Sequence, residues 1–238
     1  MKIISYSLWG NLDMYTIGMI ENCKLAKLLY PDWTVWVYVN DTVTESVKTT
    51  IVNEGGQLIS IDGNETTCWN MMWRFLPALS KSVDAFISRD ADSRLTKREF
   101  NLVDKWMNSD KEMHIIRDHK EHGLAVCGGM FGLKKGKLTD MMALKLNNYR
   151  AMIESNKESY RYKQLLNANM KGVDQDFLES EIFKFSSGRV IAHVSAGRFD
   201  LGDIKIDPPI DDNFIGNVYY DAESIKKGYL YESGFTII

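Results

Sequence analysis

The chain has 238 residues, 45% of them hydrophobic and 26% charged, which is the balance of a globular protein able to bury a substantial core. A formal net charge of -3, with basic residues scattered rather than clustered, excludes the broad cationic field that nucleic-acid phosphates require. Cys23, Cys68 and Cys127 lie far apart with no CxxC pair, which speaks against a disulfide framework or a thiolate metal site and for a reducing compartment. Met1 to Leu8 is too short for a signal core, and no run approaches the roughly 20 apolar residues of a membrane span. A cytoplasmic location is expected.

In chain order, Ile3 to Leu8 reads as a strand, and Leu12 to Leu29 carries apolar residues at helical spacing until Pro31 ends the pattern. Trp33 to Val39 is β-rich, Thr44 to Asn53 is a helix, and Gln57 to Ile61 is a short strand after the Gly55-Gly56 turn. A helix over Trp69 to Leu79 and a strand over Val83 to Ile87 follow. Thr96-Lys97-Arg98-Glu99 has the spacing of a capping box that starts a helix running to Asn108, and this assigns Glu99 to capping. Met113 to Arg117 and Cys127 to Leu133 read as strands, Leu138 to Met170 as a polar helical region, Val173 to Phe183 as a helix and Val190 to His193 as a strand. From Asp200 the pattern dissolves into Pro208-Pro209, aromatics and short turns, the signature of a tail wrapping the body. Alternation of strand and helix at this spacing indicates a parallel sheet, without internal repeats or linkers.

Ser88-Arg89-Asp90-Ala91-Asp92-Ser93-Arg94 is the most telling segment. It follows a buried strand, and in extended backbone the alternate side chains Asp90 and Asp92 share a face. Two hard carboxylates on one face suit magnesium or manganese, and ligands of open α/β sheets gather at the carboxyl ends of strands. Arg89 and Arg94 then serve as salt-bridge partners of the pair or as phosphate clamps. That is the shape of a nucleotide-sugar site. His119 and His122 have HxxH spacing, but the polar surroundings and Gly123 favour a loop over a zinc-binding helix.

Trp9-Gly10, Asn22, Tyr30-Pro31-Asp32-Trp33, Trp73-Arg74-Phe75, Arg89 to Arg94, Arg98-Glu99, Arg117-Asp118-His119 with His122, Gly128 to Gly132 and Asp174-Gln175-Asp176-Phe177-Leu178 occur together and in order. Over residues 3 to 195 the chain thereby resembles the small GT-A glycosyltransferases of large DNA viruses and some bacteria, including the amino-terminal domain type found in chloroviruses. The resemblance implies an α/β GT-A fold, Rossmann-like, with a mixed, mainly parallel sheet flanked by helices. It also implies a single domain with a nucleotide-binding half over 1–110, a donor-sugar and acceptor half over 111–199 and a wrapping tail over 200–238.

Further implications are residue by residue. Asp92 would be the principal metal ligand, Asp90 would bind the metal or the donor ribose, and His193 would be the third ligand. Asp174 and Gln175, with Asp176, resemble the element that retaining enzymes place beneath the sugar ring, although Asp174 also reads as a helix cap after Gly172. Arg74 and Arg89 would contact donor phosphate or sugar, or else lock the carboxylate pair. Ser7, Leu8, Trp9 and Gly10, with Asp13 and Tyr15, would grip the nucleobase. Asp118, His119, Gly128 and Gly129 would border the acceptor, the glycines allowing close backbone approach.

The resulting expectation is a Mn2+- or Mg2+-dependent transfer of a sugar from a nucleoside-diphosphate sugar, a UDP-sugar by the resemblance, to a saccharide or glycan hydroxyl. Retention is favoured, with Asp118 the general base should the reaction invert. If the source is viral, the work would be done in host cytoplasm. A metal-dependent nucleotidyltransferase or phosphohydrolase, and a catalytically silent carbohydrate-binding module, are the competing readings.

Overall fold

A computed structural model describes residues 1–200, 202–210 and 213–220. It contains β1 (Lys2–Leu8), α1 (Asp13–Leu29), β2 (Thr34–Val39), α2 (Glu45–Asn53), β3 (Gly56–Ser60), a run of 3-10 turns over Cys68–Leu79, β4 (Ala85–Ser88), α3 (Lys97–Met107) and β5 (Met113–Arg117). Then come β6 (Phe131–Lys134), α4 (Lys137–Ser155), α5 (Tyr160–Asn167), α6 (Val173–Phe177), β7 (Val190–Val194) and the two-residue β8 (Ile204–Lys205). The strands form one sheet in the order β3-β2-β1-β4-β6-β5-β7-β8. Only β6 runs antiparallel to its neighbours, so the sheet is mixed and mainly parallel, as expected.

Alternation along β1 divides the interior. Ile3 joins Phe86, Met113 and Phe131 beneath the 3-10 segment, α4 and α6, whereas Ile4, Tyr6 and Leu8 join Ile87 and Trp106 beneath α1 and α3. Both faces of the sheet are therefore covered, as a parallel sheet requires.

Several boundaries differ from the sequence reading. The segment 68–79 winds as 3-10 turns, and Pro77 within it cannot donate to an α-helical ladder. β6 starts at Phe131, not Cys127, because Gly128-Gly129 turns the chain just before it. The long polar helix is two, with Ser159 capping the second by accepting from the Tyr162 amide at 3.1 Å. The capping box is half-built: Thr96 Oγ1 accepts from the Glu99 amide at 2.9 Å, but the Glu99 carboxylate is spent elsewhere. The tail does return to the body, since the Ile215 amide donates to Asp118 and the Tyr219 amide to the Asp92 carbonyl. The rest of the expected tail, residues 221–238, lies outside the described residues.

Candidate active site

β1 and β4 are neighbours in parallel register, Ser5 opposite Ser88, so the chain leaves both strands at the same sheet edge. There a cavity of about 530 Å3 is walled by Ser7, Leu8, Trp9, Gly10 and Tyr15 on one side and by Arg74, Asp90 and Asp92 on the other. Its size is that of an ordinary small-molecule site. Cys68 and Met71 complete the wall from the 3-10 segment, Thr66 from the loop before it, and Val218 reaches it from the tail. These four had no signal in the sequence, since nothing in their spacing marks them as facing a ligand.

The 90–95 loop is held from below by α1. Asn22 donates to the Ser93 carbonyl at 2.8 Å and accepts from the Leu95 amide at 3.0 Å. Gly18 lies so close that a Cβ there would sit 2.1 Å from the Ala91 carbonyl oxygen. A glycine inside a helix costs about 1 kcal/mol relative to alanine, and this contact is its reason. Asn22 was among the ordered motifs, and the mid-helix glycine was a second sequence signal for the loop's seat.

Arg74 is buried and bridges two acids. Its guanidinium pairs with Asp90 through Nη1 and with Asp174 Oδ2 through Nη2 at 2.5 Å. Those carboxylates keep its pKa high against the cost of burial. Gly128 and Gly129 close over this group: a Cβ on Gly128 would meet Asp174 Oδ2 at 2.0 Å, and one on Gly129 would meet Asp90 Oδ2 at 1.9 Å. The two glycines thus admit carboxylates at this point of the site. Burial, then the neighbouring Asp90 charge, push the Asp92 carboxyl up to about 6. Tyr15 is raised by burial and then by Asp92 and Asp90, consistent with its place on the same cavity.

Four expected site residues are placed otherwise. Arg89 is sealed in the core, its Nε donating to Glu99 Oε1 at 2.6 Å and Nη1 to the Ser88 and Phe131 carbonyls, so it braces β4 and is no donor contact. Asp118 is fully buried, pairs at both oxygens with Arg98, and also accepts from Ser195 Oγ and the Ile215 amide. It offers no free carboxylate to act as a base. Asp176 faces away from the cavity toward Tyr149 and Arg161. His193 sits opposite Ile116 on β7, three strands from β4, about 14 Å at ordinary strand spacing, with Nδ1 2.9 Å from His114 Nε2. It does not join the carboxylate pair, and no cluster of three metal-ligating side chains occurs among the described residues.

The remaining candidates are less central. Gln175 is half-buried beside Gly172 at the start of α6, next to Asp174. His119 and His122 lie in a loop, as expected, with the His119 ring stacked on Phe214 at 4.1 Å. Arg94 is buried, donates to the Ser93 carbonyl and lies 4.9 Å from the Tyr219 ring, so it fastens the tail to the loop.

No protein-family model and no curated protein matches the chain. Among solved structures it is similar to galactosyltransferase LgtC, described in complex with donor and acceptor sugar analogues. That match has a TM-score of 0.50 and 14% identity, over 100% of this chain and 97% of that one. It is also similar to 4-diphosphocytidyl-2C-methyl-D-erythritol synthase from Anaerococcus prevotii, with a TM-score of 0.52 and 12% identity over 97% and 94% of the two chains. At such identities the shared property is the fold, and that fold is GT-A. No helix among the described residues is long and apolar enough to cross a membrane.

Proposed function

We propose that this chain is a metal-dependent glycosyltransferase. It moves a sugar from a nucleoside-diphosphate sugar, with a UDP-sugar the favoured donor, to a saccharide or glycan hydroxyl with retention at the anomeric carbon. The observation that carries this reading is the convergence of Asp90, Asp92 and Arg74 on one cavity whose opposite wall is the exit of β1. The resemblance of the ordered motifs to those of small viral and bacterial GT-A enzymes is in keeping with it.

The donor set fits a hard dication. Asp90 and Asp92 supply carboxylate oxygens, and the reluctance of Asp92 to ionise beside Asp90 is an electrostatic cost that a cation offsets. Magnesium or manganese held there supplies positive charge to the departing diphosphate. Arg74 fixes the carboxylate of Asp90 and, through its second nitrogen, fixes Asp174 at the same locus. Asp174 and Gln175 are then the polar groups that support positive charge on the sugar ring. With Asp118 saturated, the described residues give inversion no obvious base, which favours retention.

The fold alone does not separate this reading from a nucleotidyltransferase, because the similar structures include both a galactosyltransferase and a diphosphocytidyl-methylerythritol synthase. The products do. Calorimetric titration with UDP should show uptake that requires manganese, and turnover should release a nucleoside diphosphate with the donor's anomeric configuration kept in the first product seen by proton NMR. Release of pyrophosphate would transfer the assignment to nucleotidyl transfer, and metal-independent or absent uptake would leave a silent sugar-binding module.

A further inference from the structure

A second cavity, of about 930 Å3, opens between α3 and the β7–β8 edge, away from the carboxylate pair. His193 forms part of its wall and is itself 1% exposed. Its Nδ1 is turned to His114 Nε2 at 2.9 Å, and the His114 ring lies stacked against Trp106. The far nitrogen of that pair, His114 Nδ1, is buried with no hydrogen-bond partner. A buried N–H without an acceptor is rarer in folded proteins than an unused lone pair, so His114 carries its proton on Nε2 and donates to His193. His193 must then carry its own proton on Nε2, the corner of the ring left to the cavity. Burial, and after it Lys105, hold His193 down to about 4, so the ring is neutral and its single N–H is a fixed donor.

The rest of the lining is mixed, with Lys205 as a third lysine beside Lys97 and Lys105, and Thr96, Asn101 and Asn213 as uncharged polar groups. Lys97 and Lys105 stand eight positions apart on α3, roughly 12 Å along its axis, and both are exposed. Arg98 is already committed to Asp118 and to the Asp207 carbonyl, and Asp207 is the one carboxylate among the described lining residues. Facing α3 from the β7–β8 side, Ile191, Ile204, Ile206 and Ile210 add an aliphatic surface, of which Ile210 is 81% exposed. A neutral N–H donor with flanking ammonium groups selects an oxyanion, and the isoleucines select hydrocarbon.

We infer that this cavity binds a phosphate-bearing aliphatic molecule, its phosphate between His193 Nε2–H and Lys105 and its chain along the isoleucines. The site is separate from the proposed donor site and needs none of its residues. The probe is n-octyl phosphate, titrated below its micellar concentration by calorimetry, with inorganic phosphate as the headgroup alone and octyl glucoside as the chain without charge. Octyl phosphate should bind at one site at least about tenfold more tightly than either. The Lys97→Gln/Lys105→Gln double variant should lose about tenfold of that affinity while its manganese-linked UDP uptake stays unchanged. The His193 Nε2 nitrogen resonance should shift on titration of the parent protein. Octyl glucoside binding as well as octyl phosphate, an unchanged affinity in the double variant, or a silent His193 resonance would each overturn the inference. Phosphatidylglycerol vesicles that displace octyl phosphate would identify the source as a bilayer lipid, and vesicles that do not would identify a free phosphorylated amphiphile.

Discussion

The same dipeptide leaves two strands of this sheet and meets opposite fates. Arg89-Asp90 follows β4 and Arg117-Asp118 ends β5, and in both cases the arginine is locked inside. Arg89 holds Glu99 and two carbonyls, while Arg117 holds the Leu124 and Ala125 carbonyls with Asp200 and Asp203. The aspartates differ. Asp90 keeps 44% of its side-chain surface exposed and shares a cavity with Asp92, whereas the Asp118 side chain is 0% exposed and accepts four hydrogen bonds. An acid at a strand exit can meet a ligand only where the surrounding protein leaves its oxygens unspent. Strand order decides which: β4 adjoins β1, whose exit supplies an open wall, while β5 adjoins β7 and is covered by the returning tail.

Substitution at the two exits should therefore separate chemistry from stability. Asp92→Asn, beside Asp90, should lower transfer by about 100- to 1000-fold through lost electrostatic stabilisation of the leaving group, with the fold intact by circular dichroism. Asp118→Asn should do the reverse. It breaks a buried pair and leaves Arg98 short of its acceptors, costing about 3 kcal/mol, or about 6 to 12 °C in melting temperature for a chain of this size. Measured turnover of the folded Asp118→Asn protein should stay within a few-fold of the parent. A thousandfold loss there, at a temperature where it is folded, would erase the distinction between the two exits.

Much of this contrast was beyond a linear reading. Alternation along Ile3, Ile4, Tyr6 and Leu8 and the helical spacing of α1 made the first βα units legible, and a strand followed by spaced carboxylates made Asp90 and Asp92 stand out. Arg89 could not be placed because its partner Glu99 is ten residues on, in a helix whose cap equally explained that glutamate. His193 and Asp118 were drawn to the site because sequence does not state that β6 is inserted between β4 and β5, or that β7 lies beyond both. Gly128 and Gly129 were legible as special, but their purpose depends on distant acids, Asp174 for the first and Asp90 for the second, both held by Arg74. Non-local pairings of this kind carry no periodic signal.

Gly129→Ala sharpens the comparison from the cavity side. Its new Cβ would overlap Asp90 Oδ2, and because Arg74 holds the other oxygen, the carboxylate has little freedom to swing away. Manganese-linked UDP affinity should fall about tenfold, equivalent to 1.4 kcal/mol, with a smaller loss of melting temperature. Gly123→Ala, in the neighbouring loop where a Cβ meets nothing within 4 Å, is the matched control and should change neither. Equal effects of the two substitutions would mean that Gly129 serves the loop and not the carboxylate.

The smallest effect is also the most specific. The Asp92 carboxyl, near 3.8 when unfolded, is pushed to about 6 in the folded protein by burial and then by Asp90. A raised folded value means that its contribution to stability is fully present below about pH 4 and is lost as pH rises through 6. At pH 7.5 the ionised group opposes folding, so metal-free Asp92→Asn should melt several degrees above the parent, and that margin should vanish near pH 4. Asp118→Asn should melt below the parent at both. Manganese should raise the parent at pH 7.5, because a ligand of the folded form adds to its stability, and should leave Asp92→Asn nearly unmoved. As pH falls through 6, protons compete for the same oxygen and the manganese effect on the parent should fade. A margin that ignores pH would show that Asp92 is neither desolvated nor crowded by Asp90, and the carboxylate pair would lose its electrostatic reason to bind a cation.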